Sequence, residues 1–61
     1  MNKVRQIRRK REMTQADLMK ESGIYFSTIS RIERGYVKPS EKQKERLAQA
    51  LRVSKNWLFI D

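Results

Sequence analysis

The side chains best suited to recognition chemistry follow Gly23, in a stretch that reaches Glu33 without a lysine or an acidic residue. An arginine can donate two parallel hydrogen bonds to the acceptors of guanine, and an aromatic ring or a methyl group can contact the methyl group of thymine. An ordinary solvated helix face would carry more lysine and glutamate, so we interpret this stretch as a surface that approaches a groove of nucleic acid. The candidate contact residues are Phe26, Ser27, Thr28, Ser30 and Arg31.

The charge balance favours a polyanionic partner. Of the 61 residues, 15 are lysine or arginine and 7 are aspartate or glutamate, and the isoelectric point is near 10.5. Such an excess suits nucleic acid or an anionic membrane surface, although a basic surface kept for solubility would have the same composition. No apolar run approaches the roughly 18 residues of a membrane-spanning helix, so we expect no membrane partner. Six cations precede the first acidic residue and would attract phosphate, although Arg5 and Arg9 are individually more typical of a solvated helix: Lys3, Arg5, Arg8, Arg9, Lys10 and Arg11.

Catalysis and metal binding are disfavoured by the residue types present. The chain has no histidine and no cysteine, which excludes disulfides and the usual zinc ligands. Paired carboxylates that could share acid–base work are not evident either. We therefore expect no enzyme activity, no catalytic residue, no metal and no cofactor. The basic N-terminal region is not followed by an apolar segment, so we expect no signal peptide and a cytoplasmic location.

Glycine and proline divide the chain into helical segments. Gly23, Gly35 and Pro39 are its only glycines and its only proline, and the segments between them have helical periodicity. We predict a single all-α domain over 1–61 with five helices. They run from about 3 to 11, from 14 towards Gly23, from 26 to 34, after Pro39, and from 55 to 60. A chain this small has a marginal core, so without disulfides or metal it needs good helix packing, a dimer or both.

Capping residues support these boundaries. Thr14 with Asp17 and Ser40 with Gln43 have the spacing of a capping box, in which a hydroxyl and an acidic or amide side chain satisfy free backbone N–H groups. Glycine suits the left-handed conformation just past a helix end. The remaining candidates are Asn2 and Ser54 as N-caps and Gly23 and Gly35 as C-caps.

Two charged residues fall on apolar stripes. Arg8 shares the inward stripe of the first helix with Val4 and Ile7, and Glu33 lies on the inward side of the third. Because a lone buried charge costs several kcal/mol, we expect these two residues to form a structural ion pair that joins the two helices. Alternatively, both lie at the stripe edges and reach water. The other inward-facing candidates are Leu18, Met19, Ile29, Ile32, Leu47, Ala48 and Leu51.

The last predicted helix contains four consecutive apolar residues, which cannot all be buried in so small a monomer. We expect Trp57 and Leu58 to close the core and Phe59 and Ile60 to be partly exposed. Exposed apolar surface of this kind suits a partner. We predict a homodimer interface formed by Trp57, Phe59 and Ile60, with a frayed terminus as the alternative.

The chain resembles the Cro/repressor-type helix-turn-helix regulators of phages and bacteria, also called the Xre class. The similar segments are 14–18, 23–24, 27–35, 39–40, 47–51 and 53–58, so the resemblance spans nearly the whole chain. It implies a lambda-repressor-like fold of five helices, in which helices 2 and 3 form a helix-turn-helix at about 14–35. It also implies that helix 3 lies in the major groove of double-stranded DNA.

The resemblance assigns roles to individual residues. Phe26, Ser27 and Arg31 match the positions that contact bases, and Gln15 matches a residue that contacts phosphate and braces helix 3. Arg8 and Glu33 match a structural ion pair. Our further candidates for phosphate contacts are Thr28, on helix 3, and Tyr36 and Lys38, in the loop that follows it.

The chain departs from the family pattern at several positions. Met19 replaces alanine, so helices 2 and 3 must accommodate extra volume. Tyr25 replaces the usual serine or threonine cap of helix 3, and Arg52 replaces a frequent glycine after helix 4. Phe26 replaces a polar base-contacting residue, which leaves the target sequence open. Glu41 and Lys44 replace apolar residues, so helix 4 is expected to pack mainly through its second half.

These observations favour a sequence-specific DNA-binding transcriptional regulator, acting as a repressor and binding a near-palindromic operator as a homodimer. An antitoxin and the controller protein of a restriction–modification locus would have the same fold, and either could bind a protein partner such as a toxin or an antirepressor. A module that binds only proteins is a third alternative. Salt-dependent binding to DNA would distinguish the regulator from that module.

Overall fold

The computed structural model describes residues 2–60, and this part of the chain contains five helices and no strand. The helices are α1 (Val4–Lys10), α2 (Gln15–Ser22), α3 (Phe26–Glu33), α4 (Glu41–Leu51) and α5 (Lys55–Leu58). The predicted all-α fold is therefore confirmed. The predicted boundaries of α1 and α3 were one residue too long where the flanking residues adopt cap conformations. α5 ends at Leu58, not at Ile60, because Phe59 leaves the helical conformation, with φ −115° and ψ 32°.

Side-chain caps start α2 and α4 at the expected residues. The Thr14 hydroxyl accepts a hydrogen bond from the Asp17 N–H at 3.0 Å, and the Asp17 carboxylate accepts one from the Thr14 N–H at 2.9 Å. Ser40 and Gln43 form the same reciprocal pair at 3.1 and 2.9 Å. Both predicted capping boxes are confirmed, so α2 and α4 begin where the sequence indicates.

Asn2 is not the N-cap of α1 that the sequence predicts, because Lys3 occupies the cap position. The Asn2 side chain still stabilises the start of α1 and joins it to α3. Its side-chain oxygen accepts a hydrogen bond from the Val4 N–H at 3.1 Å, and its amide nitrogen donates one to the Ile32 carbonyl at 2.8 Å. The adjacent Lys3 N–H donates to the Leu58 carbonyl at 3.1 Å. The segment before α1 is therefore held against both α3 and α5.

The core lies between the helices and is built from the predicted apolar stripes. The α2–α3 turn adds Ile24, which is buried, and Met19 is only partly buried against the core. The second half of α4 supplies that helix's buried residues, as its sequence indicates. The buried apolar residues are Val4, Ile7, Leu18, Ile24, Ile29, Ile32, Leu47, Ala48, Leu51 and Leu58.

The structure corrects the expectation that Trp57 closes the core. Leu58 is fully buried, but the Trp57 side chain is 42% exposed, with the Lys3 ammonium 4.1 Å from its ring centroid. Phe59, expected to be more exposed, is partly buried and packs against the core. Neighbouring residues of a helix point about 100° apart, and in this single turn the inward direction falls to Leu58 and not to Trp57.

None of the helices in the described part of the chain is long and apolar enough to cross a membrane.

Candidate nucleic-acid interface

The turn between α2 and α3 is anchored on its inner side. Gly23 ends α2 in the left-handed conformation, with φ 75°, and its N–H donates to the Met19 carbonyl. The Ile24 N–H donates to the Ser22 hydroxyl at 3.2 Å, and the Ile24 side chain is buried. α3 therefore leaves the turn in a defined direction, with Ile29 and Ile32 facing the core and the opposite side exposed.

An open hollow of about 360 Å³ lies along the exposed side of α3. It brings together residues from α2, from α3 and from the loop after α3. Their ionisable side chains include two arginines and no acidic residue, so the hollow suits an anionic partner. The lining residues are Gln15, Phe26, Ser27, Ser30, Arg31, Arg34 and Tyr36.

Six of the eight predicted contact residues thus share one surface, whereas Thr28 and Lys38 do not. Thr28 lies about 200° around α3 from Phe26 and does not line the hollow. Lys38 is exposed and lines a separate hollow of about 270 Å³, together with Val37 and Lys44. Both residues therefore lie outside the hollow on α3.

Arg34 was not among the predicted contact residues. It lies three residues after Arg31 and seven after Ser27, which is the spacing of one helix face. The sequence shows this spacing, but it also places Arg34 at the end of the predicted helix. In the structure, Arg34 is the C-cap of α3 and lines the hollow.

The predicted ion pair is present and buried. Arg8 Nε lies 2.7 Å from Glu33 Oε2, and Arg8 Nη2 lies 3.2 Å from Glu33 Oε1. The two residues are 8% and 7% exposed. Arg8 Nη1 also donates to the Met13 carbonyl at 2.8 Å, so the arginine holds the exit from α1 as well. Within the described residues, no buried side-chain nitrogen or oxygen lacks a hydrogen-bond partner.

Glu33 also connects two residues that the sequence did not place beside it. Gln15 Nε2 donates to Glu33 Oε1 at 3.2 Å, and Arg5 Nε donates to the same oxygen at 3.4 Å. Burial raises the pKa of Glu33, but the hydrogen bonds from Arg8, Gln15 and Arg5 and the charge of Arg8 outweigh it. The pKa of Glu33 therefore lies below its ordinary value of 4.5. The carboxylate is held ionised at a junction of α1, α2 and α3.

Two exposed aromatic rings stand at the start of α3. The Tyr25 and Phe26 side chains are 62% and 44% exposed, and their ring centroids lie 4.8 Å apart at an interplanar angle of 25°. Tyr25 occupies the N-cap position in an extended conformation, but its side chain makes no capping hydrogen bond. The rings therefore form a stacked apolar surface that adjoins the hollow, and Phe26 also lines it.

Within residues 2–60, no three acidic, histidine or cysteine side chains are grouped so that they could hold a metal ion.

A model of the helix-turn-helix family matches residues 4–58, and this range includes all five helices. No curated protein matches the chain.

Proposed function

The chain belongs to the Cro/C1-type helix-turn-helix family of DNA-binding regulators, and from this premise we propose that it is a transcriptional repressor. In this proposal α3 enters the major groove of a near-palindromic operator, and the protein acts by occupying that site as a homodimer. The observation that supports the proposal is the hollow on α3, in which the predicted base contacts Phe26, Ser27 and Arg31 share one surface with Gln15 and Tyr36 and with no acidic residue.

The proposal divides the contacts into two classes. Phe26, Ser27 and Arg31 contact base edges, because they lie on the exposed face of α3. Phosphate contacts surround them and fix the position of α3 without reading the sequence. Their candidates are Gln15 at the start of α2, Thr28 on the flank of α3, and Tyr36 and Lys38 in the following loop.

Gln15 has the contacts needed for two tasks. One of its amide hydrogens is held by Glu33, and the residue also lines the hollow. An amide nitrogen carries two hydrogens, so the second can be donated to a phosphate oxygen. Glu33 would thereby orient the phosphate contact of α2 relative to the base contacts of α3.

The dimensions of the domain support a pair of copies on the DNA. Its extents are 24 × 20 × 18 Å, whereas half-sites read by such dimers lie about 34 Å apart. One copy therefore covers one half-site. The exposed Trp57 and Ile60 offer apolar surface for the pairing, and Phe59 lies between them in the sequence.

Selection of bound duplexes from a random pool tests this function, followed by titration of the selected site at several salt concentrations. We expect an inverted repeat and a steep salt dependence, with log K falling by about 0.9 per log unit of salt for each phosphate contacted. A scrambled duplex of equal length and composition is the control. Equal affinity for both duplexes would contradict sequence-specific binding, and affinity that does not change with salt would contradict DNA binding altogether.

A further inference from the structure

We propose that the stacked Tyr25–Phe26 pair reads the C5-methyl groups of pyrimidines in duplex DNA, with thymine as its usual ligand. This inference rests on the proposed function, since it assigns part of the specificity of the same interface. It adds Tyr25 to the specificity-determining residues and gives Phe26 a defined chemical target.

Tyr25 occupies a position where folding alone favours another residue. Serine, threonine, asparagine and aspartate are the strongly preferred N-cap residues, because their side chains satisfy free N–H groups of the first turn. Tyr25 has the extended backbone of a cap, yet its hydroxyl makes no capping bond and its ring is largely exposed. A residue that breaks a local rule without a compensating gain in packing indicates a functional constraint.

The chemistry around the pair favours DNA as the partner. Phe26 shares its hollow with Ser27, Ser30, Arg31 and Arg34, which are small or cationic side chains. Cations attract the phosphate backbone, whereas the thymine methyl is the apolar feature of the major-groove edge. An exposed ring beside such cations is therefore suited to a methyl group presented by a polyanion.

The geometry of α3 places the methyl contact at a defined distance from the base read by Arg31. Phe26 and Arg31 are five residues apart, which is about 7.5 Å along the helix axis and about 140° around it. The base-pair step along DNA is about 3.4 Å. The thymine should therefore lie about two base pairs from the guanine assigned to Arg31, on the side of the N-terminus of α3.

Uracil substitution tests the proposal, because uracil pairs as thymine does but lacks the methyl group. Each thymine of the selected duplex is replaced singly by deoxyuridine, and binding of the unaltered protein is titrated. We expect about a fourfold loss of affinity at one or two thymines, the value for burial of one methyl group. In Phe26→Ser that loss should disappear, and in Tyr25→Ser it should shrink.

Tyr36→Ser is the matched control, since Tyr36 is an exposed aromatic residue of the same hollow but lies in the loop after α3. It should lower affinity for thymine and uracil duplexes equally. Circular dichroism verifies folding, and Tyr25→Ser should fold at least as well because serine supplies the missing cap.

The outcomes separate the two proposals. If the protein binds the selected duplex but uracil has no effect at any position, the methyl-reading role is wrong and DNA binding stands. If Tyr25→Ser and Phe26→Ser bind the thymine and uracil duplexes as the unaltered protein does, the aromatic pair does not contact DNA and the inference is also wrong. A contact with a protein partner would then be the alternative role of the pair. If no duplex is bound selectively, the proposed function itself fails.

Discussion

Glu33 is the residue on which the arrangement of the first three helices depends. Its carboxylate accepts hydrogen bonds from Arg5 and Arg8 of α1 and from Gln15 of α2, while its own backbone belongs to α3. The sequence predicts the contact with Arg8, because both residues fall on apolar stripes. The family resemblance implies that Gln15 braces α3 but does not name Glu33 as its partner, and nothing in the sequence predicts Arg5, because only the packing of the helices brings both residues to one oxygen.

Removal of one partner of the pair should be far more damaging than removal of both. Arg8→Met leaves the Glu33 carboxylate buried without its main partner and should destabilise the fold by about 3–5 kcal/mol. That is comparable with the whole stability of a domain this small. The double variant Arg8→Met, Glu33→Leu should cost much less. Urea unfolding measures the free energy of unfolding of both variants, with Arg9→Met as a control at an exposed arginine. If Arg8→Met is as stable as the unaltered protein, the ion pair is not important for the fold.

The lowered pKa of Glu33 gives stability a defined dependence on pH. A carboxylate whose pKa is lower in the folded state stabilises the fold fully above its unfolded value, here about 4.5. The stabilisation is lost as pH falls from this unfolded-state pKa through the lower pKa of the folded state.

Two other carboxylates must be separated from Glu33. Asp17 and Glu41 also have lowered pKa values, owing to hydrogen bonds from Thr14 and Lys55 respectively. The comparison with Glu33→Gln therefore isolates the contribution of Glu33, and unfolding midpoints between pH 7 and about 3 measure it. Parallel pH profiles for the two proteins would contradict it.

We expect Arg31 to contribute to sequence specificity and Lys38 to contribute to affinity for DNA of any sequence. Arg31→Ala should cost about 1–3 kcal/mol on the preferred site, mostly at one base pair, which we expect to be a guanine. Lys38→Ala should weaken all sequences alike and reduce the salt slope by about one unit. Titration of both variants on every single-base change of the site distinguishes them. An unchanged ranking of sequences in Arg31→Ala would make Arg31 a phosphate contact.

At the scale of the elements, this chain departs from the usual residue preferences at the C-terminal ends of its helices. Schellman-type hydrogen bonds close α1, α3 and α4, and each closure places one residue in the left-handed conformation. Gly35 suits that conformation after α3. After α1 and α4 the position is held by Glu12 and Arg52, with φ 57° and 59°. Periodicity and capping boxes located the helices, and the family resemblance marks Arg52 as a replacement of glycine, but nothing in the sequence indicates the left-handed conformation of Glu12.

Glycine at either position should therefore stabilise the domain. The left-handed conformation costs a non-glycine residue about 1–2 kcal/mol. Glycine avoids this cost, but it also loses more conformational entropy on folding, which offsets part of the gain in stability. We expect Arg52→Gly and Glu12→Gly each to raise the free energy of unfolding by about 0.5–1 kcal/mol. Lys20→Gly, inside α2, is the opposite control and should lower it by about 1 kcal/mol. Thermal melts measure all three. Destabilisation by Arg52→Gly would mean that the arginine side chain makes a contact that matters more than its backbone strain.

At the scale of the whole molecule, the part that sequence predicts least well is the segment that includes α5. Four consecutive apolar residues give no periodicity from which an inward face could be chosen. The structure buries Leu58 and leaves Trp57 half-exposed beside Lys3, and the Lys3 N–H donates a hydrogen bond to the Leu58 carbonyl. Such pairing between distant parts of the chain depends on the packed fold and not on local pattern. The buried and exposed faces of α3 were easier to predict, because Ile29 and Ile32 form an apolar stripe opposite the exposed side of the helix.

The exposed side chains of that segment make the dimer testable without DNA. Trp57→Ser and Ile60→Ser remove apolar surface that is 42% and 57% exposed in one copy. Each should therefore weaken self-association while leaving helical content nearly unchanged. Tyr25→Ser is the control, since it removes an exposed aromatic ring from the α2–α3 turn and should leave association intact. Sedimentation equilibrium measures the association constant.

A binding titration on DNA tests the same interface. Trp57→Ser and Ile60→Ser should lose affinity for a pair of half-sites about 34 Å apart but keep their affinity for a single half-site. A chain that remains monomeric at high concentration, with and without DNA, would contradict the dimer, and the paired half-sites would then have to be read by two independent copies.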